Sequence, residues 1–165
     1  MRPTAAAVFL LLASMVIPAA AQPPENHKAQ ARQLLRDGNH EQALRHAAEA
    51  NRAMPDDVET YALLSEAYQG LGRMRDAEKA VQWMLDLRPE SPLSLASAAE
   101  LRMALGEAAG AAEFYREAFR RTQREETARR AELLEGAARA YRAMGRVETA
   151  ELCLKEAERL RKGGI

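Results

Sequence analysis

Residues 58–91 read VETYALLSEAYQGLGRMRDAEKAVQWMLDLRPES, and the reading of this stretch decides the fold. Tyr61, Leu64 and Tyr68 recur at the intervals of one helical face. Just upstream, Asp56 and Glu59 stand three apart, the spacing of a capping box at a helix start. Gly70 and Gly72 interrupt the periodic run. Ala77, Val81, Met84 and Leu85 then form the apolar stripe of a second helix, and Pro89 forbids its continuation. The stretch is therefore a hairpin of two helices.

Moving outward, the same punctuation returns. Gly38, Gly72 and Gly106 are 34 residues apart, and Gly145 follows 39 later. Ala43, Ala77, Ala111 and Ala150 keep the same 34, 34 and 39 steps, and Pro55 and Pro89 are again 34 apart. Three residue types sharing one period mark stacked supersecondary units. Ser91-Pro92 supplies an N-cap followed by a proline in the first turn. The pattern predicts eight helices at 25–37, 40–53, 57–70, 74–87, 92–105, 107–123, 126–144 and 147–162. They group into repeats at 24–57, 58–91, 92–125 and 131–164, within a repeat domain spanning 25–162. The five-residue excess before the fourth unit falls near Arg121–Arg130, a stretch without Pro or Gly, and predicts lengthened helices meeting at a tight turn.

This arrangement resembles the tetratricopeptide repeat, whose 34 residues carry a W-x-x-L-G-x-x-Y segment, then A-x-x-x-F, then Pro. The second unit matches through Tyr61, Leu64, Ser65 and Tyr68, then Ala77, Val81 and Pro89. The first offers Gln30, Ala31 and Leu34, then Ala43, Ala47 and Pro55. The third offers Leu95, Ala98 and Ala99, then Ala111 and Tyr115, with Arg102 in the tyrosine slot and Gln123 where proline belongs. The fourth offers Leu134, Ala137, Ala138 and Tyr141, then Ala150 and Leu154. The resemblance implies an all-α, right-handed solenoid of about four helical hairpins. Each hairpin alone leaves an apolar face wet, so stability comes from stacking. Small residues such as Ala77 let paired helices approach, while Tyr68, Tyr115, Leu134 and Tyr141 fill the space between hairpins.

Composition narrows the function. Twenty-four basic and 24 acidic side chains cancel, which argues against a nucleic-acid binder working by bulk charge. Aromatics are 5% against a hydrophobic total of 47%, an Ala- and Leu-rich makeup suited to close-packed helices rather than sheet. One cysteine, Cys153, excludes an intramolecular disulfide and any multi-Cys metal site. It reads as a small packed residue, with an intermolecular bridge as the alternative. Met1-Arg2, the apolar Ala5–Ile17, Pro18 and then Ala19-Ala20-Ala21 have the three-part layout of a secretory signal peptide. Cleavage is expected after Ala21, leaving a short leader at 22–24 and an exported, periplasmic or secreted chain with no integral span.

No catalytic, cofactor or metal site is read from the residues. His27, His40 and His46 sit in no catalytic motif, lack the i, i+4 spacing of a helical metal pair and are expected to face solvent. Trp83, between Val81 and Met84, is expected to pack in the core. The arginines from Arg120 to Arg130 read as a salt-laced surface, the alternative being a basic patch. What the resemblance does imply is a groove, because in the family the first helix of each pair lines a concave wall that binds extended peptides or helices. Carried over by position, its residues are Lys28, Arg32 and Leu35; Glu59, Glu66 and Gln69; Leu93, Glu100 and Met103; and Glu132, Glu135, Arg139 and Arg142. One branch of the family clamps a terminal carboxylate with Lys and Asn. Lys28 fits that clamp, but Arg32 and Leu63 stand where its two Asn belong, which argues against carboxylate recognition. The expected function is a non-catalytic adaptor for a protein or peptide partner of the bacterial envelope. The family suggests roles in envelope, pilus or secretion assembly, or in maturation of exported enzymes. The alternatives are a homo-oligomer joined through the last helix and, less favoured, a solenoid-based enzyme.

Overall fold

A computed structural model describes residues 23–163. The export segment read at Met1–Ala21 lies outside the described residues, as does Gln22. Among the described residues there are eight helices and no strands: α1 (Pro24–Arg36), α2 (His40–Ala53), α3 (Val58–Gly70), α4 (Met74–Leu87), α5 (Pro92–Ala104), α6 (Ala108–Arg121), α7 (Thr127–Ala143) and α8 (Val147–Arg161). No predicted helix end is displaced by more than two residues.

The four recurring glycines are the corners of the four hairpins. Gly38, Gly72, Gly106 and Gly145 have φ of 74°, 69°, 79° and 74°, a left-handed conformation that side chains resist. Each corner closes in the same way. The amide after the glycine donates back into the finished helix: Asn39 to the Leu34 carbonyl (2.8 Å), Arg73 to Tyr68 (2.8 Å), Glu107 to Arg102 (2.8 Å) and Arg146 to Tyr141 (2.9 Å). This is the Schellman closure, which satisfies carbonyls that a helix end otherwise strands.

Three local readings need correction. Gly70 does not break α3 but ends it, tucked where a Cβ would collide with the His40 ring. The N-cap of α3 is Asp57, not Asp56; its carboxylate accepts from the Glu59 amide (3.3 Å) and the Thr60 hydroxyl (2.8 Å). Of the two helices expected to lengthen at the fourth joint, only α7 does, with 17 residues against 13 for α1, α3 and α5. α6 keeps the 14 residues of α2 and α4. The link that follows α6 is held by Arg130, whose guanidinium lies 3.8 Å from the Phe119 ring centroid and donates to the Thr122 carbonyl (3.1 Å). That contact satisfies part of the α6 C-terminus.

The packing fixes the layers. Each helix packs on the next, and the first helices also touch in order: α1 on α3, α3 on α5, α5 on α7. The second helices make no comparable contact with one another. An array whose first helices meet while its second helices splay is curved, with α1, α3, α5 and α7 on the inner wall. Ala43, Ala77, Ala111 and Ala150 are all fully buried, as close helix approach within each hairpin requires. Tyr115 and Met84 are the largest side chains fully inside.

Candidate functional site on the inner wall

Because the repeats step by 34, 34 and 39 residues, the inner wall carries ladders of equivalent positions. Arg32, Glu66, Glu100 and Arg139 form one ladder, Leu35, Gln69, Met103 and Arg142 a second, and Lys28, Ala62, Ala96 and Glu135 a third. Seven of the eight groove residues expected with Lys28 thus fall on the first two ladders.

The two ends of the first ladder neutralise themselves. Arg32 pairs with Glu59 on α3. Beside it, Lys28 does not present its ammonium to the groove. It is buried, and its Nζ lies 2.9 Å from Glu25, 3.1 Å from Asp57 and 2.9 Å from Glu59. Burial alone would pull that ammonium's pKa down. The three carboxylates outweigh it and hold the group above the ordinary lysine range. Burial would likewise raise Asp57 and Glu59. Hydrogen bonds from Thr60 and Lys28 to Asp57, and from Lys28 and Arg32 to Glu59, hold both below the usual carboxylate range. At the far end Arg139 donates to Glu100 (2.7 Å) and to the Tyr115 hydroxyl (3.3 Å). Arg142 is exposed, and Met103 packs against the core beneath α5.

Glu66 is different. No cation forms an ion pair with it among the described residues, and burial followed by the charge of Glu100 pushes its carboxyl above the ordinary range. It lines a cavity of about 360 Å³ between α3 and α5, together with Ala62, Ser65, Gln69, Leu93, Ala96, Ser97 and Glu100. The cavity exists because Ala62 and Ala96 occupy the ladder positions that Lys28 and Glu135 fill elsewhere. Gln69 is held by its own helix, its amide donating to Ser65 Oγ (3.1 Å). Glu66, Gln69 and Glu100 are thus the predicted residues that the structure brings around one space.

Outside the groove, two expectations are overturned. Trp83 is 56% exposed and stacks at 6.3 Å on Tyr61. It is not a core residue, because its slot on α4 is the one filled by Glu49, Glu117 and Glu156 in the other hairpins, a solvent-side position. His27 is buried rather than solvent-facing, its Nδ1 3.1 Å from Nδ1 of the half-buried His46. Burial and then the charge of His27 hold His46 below the ordinary histidine range. The arginines of the fourth joint are engaged in surface ion pairs, Arg120 with Glu117 (2.5 Å) and Arg121 with Glu117 and Glu90 (both 2.7 Å). Cys153 is half-buried, and burial pushes its thiol up, away from the reactive thiolate. No group of three or more metal-ligating side chains occurs among the described residues, and none of their helices is long and apolar enough to cross a membrane.

Comparison with known proteins decides the family. Residues 34–101 match the tetratricopeptide repeat model. The chain is a tetratricopeptide-repeat protein. Its fold is similar to that of a thermophilic TPR protein in Thermus thermophilus, at 24% identity over 87% of this chain and 80% of that one, with a TM-score of 0.72. It is also similar to Pseudomonas aeruginosa pilF, at 17% identity over 84% of this chain and 61% of that one, TM-score 0.72. MamA from Desulfovibrio magneticus RS-1 shares the fold at 19% identity over 83% and 75% of the two chains, TM-score 0.60. No curated protein matches the chain. Tetratricopeptide-repeat proteins serve in general as non-catalytic scaffolds for contacts between proteins, and the array carries the matching architecture.

Proposed function

We propose that this tetratricopeptide-repeat protein is a non-catalytic adaptor that holds an extended peptide or a helix of a partner protein along its inner wall. The observation that carries the reading is the cavity between α3 and α5, opened by small side chains on a wall that is otherwise closed by ion pairs. The wall is polar and mixed in charge, which suits a contact of modest affinity whose register is set electrostatically. The bacterial envelope as its setting rests on the export signal read in Met1–Ala21. A second reading, self-association through α8, draws on the exposed Val147 (51%) and Leu152 (66%).

Photo-crosslinkers placed at Ser97 in the cavity and at Glu113 on the outer layer test the proposal in the native envelope. The adaptor reading expects discrete protein adducts from position 97 and none of the same mass from position 113. Equal labelling from both, or adducts only of the chain with itself, would remove it. The second reading expects a size in light scattering that grows with concentration and is reset by Leu152→Glu.

A further inference from the structure

We propose that the cavity between α3 and α5 seats a lysine or arginine side chain of the peptide partner. The inference rests on the adaptor reading and adds to it the chemistry of the ligand. Charge complementarity along the wall supports it. On the first ladder the signs run positive, negative, negative, positive. Arg32 is matched by Glu59, and Arg139 is matched by Glu100. One charge is left over, Glu66, at the middle of the wall and beside the open space. Lys28, the other cation at the near end, is committed to three carboxylates of its own fold and cannot reach across to it.

The shape fits the same ligand. A basic side chain is a long apolar stem with a charged tip. Leu93, Ala62 and Ala96 give the cavity an apolar wall, while Glu66, Glu100 and the oxygens of Ser65, Ser97 and Gln69 supply acceptors. A stem laid on the alanines would bring its cation to Glu66. That cation would answer both burdens on this carboxylate, its burial and its neighbour's like charge. An acidic or C-terminal carboxylate would meet repulsion there, which agrees with the loss of the two clamp asparagines at Arg32 and Leu63.

The test is selection of a random dodecapeptide display library on the purified protein, repeated on Glu66→Gln, on Glu66→Lys and on the outer-layer control Glu49→Gln. Glu66→Gln is close in shape and removes a charge that has no partner, so its helical circular dichroism and melting should match or exceed those of the wild type. The expected result is enrichment of Lys or Arg at one peptide position, at least tenfold weaker binding by Glu66→Gln, no change with Glu49→Gln, and selection of Asp or Glu by Glu66→Lys. Peptides that bind the groove, compete at Ser97 and show no basic preference would overturn this proposal while leaving the adaptor reading intact. Failure to select any peptide that competes at Ser97 would overturn both. Free arginine or spermidine binding as tightly as the selected peptides would show a small-cation site and overturn the peptide assignment.

Discussion

Replacing Gly136 with alanine should destabilise the array, although the substitution favours helix. Gly136 is buried in α7, and a Cβ there would press into the ring of Tyr115, 2.9 Å from Cδ1 and closer to Cε1 and Cζ. Tyr115 cannot swing away: it is 2% exposed, enclosed by Leu95, Ala99, Leu133 and Ala137, and its hydroxyl is held by Arg139. The helix-propensity gain of Gly to Ala is about 1 kcal/mol. Forcing a methyl into a packed site costs about 1–3 kcal/mol, and here the obstacle is a rigid ring. The net expectation is a loss of about 1–2 kcal/mol, or a fall in Tm of several degrees for a domain of this size. Thermal melts followed by circular dichroism measure it, with Tyr115→Val as the second background. Without the ring, Gly136→Ala should become neutral or stabilising, giving a coupling of about 1–3 kcal/mol between the two sites. The reasoning is refuted if Gly136→Ala raises the wild-type Tm, or costs the same in both backgrounds.

Three other outcomes follow from the packing and the charges. Lys28→Met should cost about 1–3 kcal/mol in urea unfolding at pH 7, discounted from a fully buried pair because Glu25, Asp57 and Glu59 are partly exposed. Asp57 and Glu59 titrate below their unfolded range, so their contribution is present above about pH 4 and is lost as pH falls further; Lys28→Met should flatten that acid limb. His46 has a depressed pKa, so the unfolded chain takes up its proton first and stability falls as pH drops below about 6.5. Melts between pH 7.5 and 5.5 should show this slope, at most about 1.4 kcal/mol per pH unit, and His46→Gln should remove it. Trp83→Glu restores the residue type of the other hairpins and should change stability by less than about 0.5 kcal/mol; quenching of Trp83 fluorescence by acrylamide in the wild type should confirm its exposure.

The helices were legible because their ends are written in residues with few conformational options. Gly38, Gly72, Gly106 and Gly145 can take the left-handed corner, Pro89 cannot continue a helix, and the buried alanines mark where helices meet. Trp83 was misread from hydrophobicity alone. Its register relative to Ala77, compared with Glu49, Glu117 and Glu156 in the other units, held the signal that it faces outward. The burial of Lys28 was not legible in the same way. It depends on how closely α1 and the start of α3 approach, which brings Asp57 and Glu59 to one ammonium across 29 and 31 residues of sequence. The Glu66 cavity is intermediate: the ladder positions are in the sequence, but the open space comes from α5 leaning on α3.

The uniform step between the second and third hairpins has a consequence for shortening the protein by genetic excision. Removing residues 58–91 takes out one whole period, so α5 would follow α2 directly and offer Leu95, Ala98 and Ala99 where Tyr61, Leu64 and Ser65 had been. A three-hairpin protein could close over that cut with its remaining corners in phase. The same 34-residue excision taken across residues 108–141 would leave the fourth hairpin out of step, because the added turn of α7 and its Arg130 anchor belong to that joint alone. The chain is thus divisible at some seams and not at others, and Arg130 marks the seam that does not divide.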